Sequence, residues 1–134
     1  MKGKGMTNKD IFLGALALVG EPVGLSAADY AERTPYIIAN FITENAALDD
    51  KYRAAVGEAP KESVYTVFAA DDDEFPLLPR FSSAAQYYLA SMLIADEDGE
   101  RSDSFFDKFC TAMADIMAEI PAVSERIVNV YGAR

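Results

Sequence analysis

The sequence predicts a mainly α-helical bundle of four to six helices, and three observations carry that expectation. Apolar residues recur at a spacing near 3.6 over most of the chain. Several of these runs open on a Ser or Thr placed three residues ahead of an acid or amide, the spacing of a capping box. Several of them stop at glycine or proline. The pattern fails over one long stretch, Glu58 to Arg80, so a long loop or a small β-hairpin is expected between the second and third long helices.

The first helix is expected to start at Thr7, whose hydroxyl can accept a free amide while Asp10 bonds back. Ile11, Phe12, Ala15, Leu16, Leu18 and Val19 supply its apolar stripe, and "GEPVG" ends it. Ser26 and Asp29 repeat the capping spacing and open a second segment, in which Pro35 has no amide to donate to Ala31. That leaves two options, a kinked helix or a turn followed by a helix with Pro35 in its first position. Ile37, Ile38, Phe41, Ile42, Leu48, Tyr52 and Val56 keep the period, and Gly57 is the expected stop.

In the excursion that follows, "SVYTVF" has the β-branched and aromatic character of a short strand. "DDDE" is expected to form a solvated turn, and the prolines of "FPLLPR" restrict the chain to extended or turn conformations. Ser83 and Gln86 then mark a third helix, whose apolar residues from Ala84 to Ile94 cover nearly every face. Such a helix belongs at the centre of a bundle or in an oligomer interface. After the acidic break Asp96 to Gly99, Ser104 and Asp107 are expected to cap a fourth helix with the stripe Phe105, Phe106, Phe109, Cys110, Ala112, Met113, Ile116, Met117 and Ile120. The last long helix is expected to pack on the Phe81 to Ala95 helix, and a further helical run restarts at Pro121.

A chain of 134 residues, 51% hydrophobic and 25% charged, fits one domain, 1–134, with residues 1–6 expected to be flexible. The lone Cys110 is expected to be a small buried hydrophobe. The absence of histidine removes the usual proton shuttle, metal ligand and partner of a nucleophilic serine or cysteine. A formal charge of −10 opposes tight binding to nucleic acid or to an acidic membrane. No apolar run has the length of a membrane span, so a soluble protein, intracellular when made, is expected.

Asp96, Asp98, Glu100 and Asp107 fall at positions one, three, five and twelve of a calcium-type loop. However, glycine stands at the fourth position, Arg101 at the sixth, and a short aspartate at the last. Asp49 and Asp50, as helix neighbours, point in different directions and do not suggest acid–base chemistry. No phosphate loop, metal-ligand spacing or nucleophile motif is present. The expectation is a non-enzyme with no cofactor and no metal.

The ordered set "DIFLGALALVGE", "DYAERTPYIIANFI", "DEFPLLPRFSSAAQYYLASMLIADEDGERSDSFFDKF" and "IVNVYG" resembles the small helical proteins of tailed bacteriophage and prophage head and tail modules, in particular the head–tail connector, or adaptor, proteins. The resemblance implies a virion structural subunit that joins a homo-oligomeric ring between portal and tail-completion proteins. Such a subunit can be monomeric alone, and it is made in the host cytoplasm and carried in the virion neck. On this reading Phe75, Leu77, Ile127, Val130 and Tyr131 are candidate partner contacts. Asp71, Asp72, Asp73, Glu74, Asp96, Asp98 and Glu100 are candidates for facing a DNA channel. The alternative is a small helical dimeric regulatory or scaffolding protein that binds a protein partner.

Overall fold

The computed structural model describes residues 5–20, 25–60 and 66–120. Among them are four helices: α1 Asn8–Val19, α2 Leu25–Ala55, α3 Ser82–Ile94 and α4 Gly99–Ala118. A single 3-10 turn, Pro79–Phe81, leads into α3. The fold is therefore mainly α. The expectations for residues 1–4, for Pro22 and Gly24, and for a helix restarting at Pro121 fall outside the described residues.

Helix α3 is the hub, touching α1, α2 and α4, and α4 packs most extensively against it. Its residues Ala84, Leu89, Ala90 and Leu93, and Phe81 just before it, are fully excluded from solvent, and along the helix Ser83 alone is exposed. The all-round apolarity read in the sequence follows from this position, because every face of α3 meets another element. Burying Leu89 contributes about 2 kcal/mol. Small residues set the spacing: Ser91 donates to the Ser102 carbonyl at 3.0 Å, and Ser102 donates back to the Ser91 carbonyl at 2.9 Å. On the opposite side, a side chain at Gly14 of α1 would collide with the Gln86 amide. Gln86, expected to close a capping box, lies across α1 instead.

Several boundaries differ from the sequence expectation, each for a physical reason. The Thr7 box forms as expected, with Thr7 N–H on Asp10 Oδ2 at 2.9 Å and Asp10 N–H on Thr7 Oγ1 at 3.2 Å. Gly20 and Gly57 adopt φ of 74° and 84° and end α1 and α2, the backbone shape that favours glycine. By contrast, α2 already includes Ser26 and runs unbroken through Pro35, with Asp29 paired to Arg33 at 3.4 Å. Near the proline, the Thr34 hydroxyl donates to the Tyr30 carbonyl at 2.7 Å, and the Pro35 carbonyl takes the Ala69 amide at 2.9 Å. The proline side of α2 is thus bonded to the excursion.

Helix α3 has no side-chain cap at Ser83; the 3-10 turn started by Pro79 delivers the chain into it. Helix α4 starts five residues before Ser104, because Asp98 accepts the Arg101 amide at 3.1 Å and caps first. With Gly99 onward helical, Asp96 to Asp107 cannot wrap an ion as a calcium loop does. Cys110 is exposed, not buried. Phe105, Phe109, Ala112 and Ile116 form the inward face, and five residues beyond Phe105 the helix has turned Cys110 well away from it.

The excursion forms no strand among its described residues, so the hairpin is not found; Ser63 to Tyr65 lie outside them. Several of its hydrogen bonds go to helices, and others close turns within the excursion. Thr43 of α2 donates to the Thr66 carbonyl, Phe68 N–H bonds the Thr66 hydroxyl, and Ala69 N–H bonds α2. Further along, Asp49, almost wholly buried, accepts the Leu78 amide at 2.9 Å and Arg53 Nε at 2.8 Å. Arg53 also donates to the Pro76 carbonyl at 3.1 Å. This pair fixes "PLLP" to α2, and Phe75 and Leu77 fill the core beside it.

Candidate functional site

The expected site residues separate into three groups. Phe75 and Leu77, proposed as partner contacts, are each 4% exposed and belong to the monomer core, Phe75 stacking on Phe41 at 6.4 Å. A side chain already buried in its own subunit offers no surface, and this corrects the expectation for both. Ile127, Val130 and Tyr131 lie outside the described residues. The acidic residues form two separate turns.

In the first turn, Asp71, Asp72, Asp73 and Glu74 expose their side chains while their backbone serves α1. The Asp73 carbonyl accepts the Asn8 amide and the Asp71 carbonyl the Lys9 amide, both at 3.0 Å, and Phe75 N–H bonds the Met6 carbonyl at 2.8 Å. Negative charge beside a helix N-terminus is favourable. In the second turn Asp96 and Glu100 are exposed, Asp98 caps α4, and Arg101 of α4 donates to the Val19 carbonyl at 3.1 Å, the end of α1. The two turns therefore stand at opposite ends of a 12-residue helix, about 18 Å apart.

Among the described residues, a group of exposed apolar side chains lies where the sequence motifs do not point. Tyr36 on α2 is 59% exposed, and Val67 and Phe68 in the excursion are 82% and 49% exposed. The Tyr36 and Phe68 rings meet edge to face at 5.3 Å. Two shallow grooves flank them, one of about 410 Å³ reaching Glu32, Pro35 and Asp71, the other of about 310 Å³ reaching Asn40 and Thr43. The signal that marks this surface is the i, i+4 series Tyr36, Asn40 and Glu44, an exposed stripe beside the buried Ile38, Phe41 and Ile42. "SVYTVF" has the character of a strand, and strand alternation does not show that Val67 and Phe68 are left uncovered.

A third cluster closes the far end of the bundle. Arg80 holds Glu119 through two donors, with contacts at 2.8 to 3.2 Å, and Tyr52 donates to the same carboxylate at 2.6 Å. The Arg80 bonds, joined by that of Tyr52, pull the Glu119 pKa down to about 2. The Glu119 hydrogen bond pushes the Tyr52 phenol up, and the same carboxylate raises the Arg80 guanidinium. A groove of about 550 Å³ next to Arg80 is lined by Asp107, Lys108 and Asp115, charges of both signs that select for neither. Among the described residues no three acids or thiols are grouped as metal ligands, and no helix is long and apolar enough to cross a membrane.

Comparison with known proteins returns no match, whether with family models, curated sequences or solved structures.

Proposed function

We propose that this chain is a non-enzymatic structural subunit of a tailed-phage or prophage particle, acting as a head–tail connector between portal and tail-completion proteins. It would be made in the host cytoplasm and assembled into a ring in the virion neck. The observation that supports an assembly role is the Tyr36, Val67 and Phe68 surface: two aromatic rings and a valine, held in the open by a rigid helix and a loop bonded to it. Large exposed apolar side chains grouped on one face mark protein contacts, and aromatic residues are enriched there. The connector identity itself rests on the sequence resemblance.

The test is a Tyr36→Ser, Phe68→Ser double variant, mixed with portal and tail-completion proteins from the same particle. Because both side chains are exposed, unfolding should shift by no more than about 1 kcal/mol. Ring formation, followed by sedimentation and electron microscopy, is expected to be lost. A variant that enters the ring as well as the parent rules out this surface. A parent protein that forms a stable two-fold dimer through Tyr36 and Phe68, indifferent to portal, supports the dimeric regulatory or scaffolding reading instead.

A further inference from the structure

Next to the apolar surface, and sharing Asn40 with it, lies a recess of about 330 Å³ between α2, α3 and α4. Its walls are Phe41, Tyr88 and Phe109, with Asn40, Glu44 and Asn45 along the rim. The three rings converge: Tyr88 and Phe109 centroids are 5.2 Å apart and tilted by 52°, and Phe41 stands 5.7 Å from Tyr88 and 6.2 Å from Phe109. Phe41 is buried beneath the other two, while Tyr88 and Phe109 are partly exposed. An aromatic face carries the negative lobe of the ring quadrupole and attracts a cation placed over it.

The polar rim has the same preference. Asn40 spends its amide N–H on the Tyr88 oxygen at 2.8 Å, and Asn45 spends its own on the Phe41 carbonyl at 2.9 Å. Each amide keeps its carbonyl oxygen and a second N–H, and Tyr88, which accepts from Asn40, keeps its O–H. Glu44 adds an exposed carboxylate, with no cationic side chain on the recess wall to neutralise it. Glu44 is the one charged group lining the recess, and the chain as a whole carries −10. An anion meets repulsion from Glu44 here, while an uncharged group forgoes the attraction of its carboxylate.

We propose that this recess is a binding site for an organic cation, and specifically for the guanidinium of an arginine presented by the protein that docks on the Tyr36 and Phe68 surface. Guanidinium fits both halves of the lining: it stacks on aromatic planes and offers several in-plane donors to separate oxygens, whereas an ammonium is a compact, strongly hydrated point charge. The identity of the partner rests on the assembly reading above, but the site itself does not.

The isolated chain tests the site without any partner. Arginine methyl ester is titrated into labelled protein and amide and aromatic NMR shifts are followed. Saturable changes centred on Asn40, Glu44, Tyr88 and Phe109 are expected, with no response to citrulline methyl ester, the uncharged isostere. Glu44→Gln, an exposed change that keeps the side-chain shape, should weaken arginine binding about five-fold, and Phe109→Leu should reduce it further while α4 stays folded. Tetramethylammonium should bind more weakly than the arginine ester. Absence of saturable shifts, an equal response to citrulline, indifference to Glu44→Gln, or stronger binding of tetramethylammonium would each overturn the guanidinium assignment. A recess that binds arginine in a chain that never assembles defeats the connector reading and leaves the site standing. Ring assembly without arginine binding does the reverse.

Discussion

Glu119 carries a negative charge at the C-terminal cap of α4, the end where the helix dipole disfavours one. Arg80 and Tyr52 reverse that preference by giving the carboxylate donors from the turn before α3 and from α2. Because the folded pKa lies below the ordinary 4.5, the native state prefers the ionised acid. Its stabilising effect is thus complete above pH 4.5 and is lost as pH falls toward about 2. The pair is open to solvent, so added salt weakens the effect. Urea midpoints measured at pH 7, 4.5 and 2 should fall less steeply for Glu119→Gln than for the parent across the lower interval. Equal slopes would show that the clasp contributes nothing to acid stability. Residues of this kind were invisible in the sequence, since Tyr52, Arg80 and Glu119 are far apart in it. Asp49 stands out in the sequence beside Asp50, but its use as a buried anchor for Arg53 and Leu78 depends on a loop that returns 29 residues later.

Among the helices, local signals were legible where nothing distant competed with them. The Thr7 box and the Gly57 stop both formed, because their partners lie within a few residues. Ser83 and Ser104 had equally good spacing and were overridden, one by a 3-10 turn built on Pro79, the other by Asp98 acting first. Pro35 stayed inside α2, with its carbonyl bonded by the Ala69 amide of the excursion. The Thr7 cap in turn organises more than α1. Met6 and Asn8 on either side of it are bonded to the Asp71–Phe75 turn, so the cap and the turn form one unit. Thr7→Ala should cost about 1 kcal/mol in urea unfolding. It should also speed hydrogen exchange at the Asn8, Lys9 and Phe75 amides together. Faster exchange at Asp10 alone, with Phe75 unchanged, would separate the cap from the turn.

At the scale of the whole molecule, composition and periodicity point to a helical bundle with α3 at its centre or in an oligomer interface; they leave open which of the two holds and which apolar residues remain outside. Phe75 and Phe68 look alike in sequence; one is buried against Phe41 and the other stands in solvent, a difference set by how the excursion folds back on α2. The acidic turns raise a question of geometry that only the fold poses. If the connector reading holds, Asp71 to Glu74 and the Asp96 to Glu100 turn can both face a DNA channel only when α1 runs along the channel wall, since they occupy its two ends. Acidic walls keep passing DNA from adhering, because no phosphate is neutralised and no counterion released. Replacing Asp71, Asp72 and Asp73 by lysine changes exposed side chains while the backbone caps stay in place, and cations at the start of α1 should cost about 0.3–1 kcal/mol each. Particles carrying this triple variant should assemble and then eject DNA more slowly, with the delay shrinking at higher salt. A second variant with Asp96 and Glu100 replaced by lysine, sparing the cap Asp98, reads the other end of α1. Delay in both variants places α1 along the wall, and delay in one places that end alone at the lumen. Normal ejection by both excludes the acidic turns from the channel and leaves them as the solvated ends of the bundle.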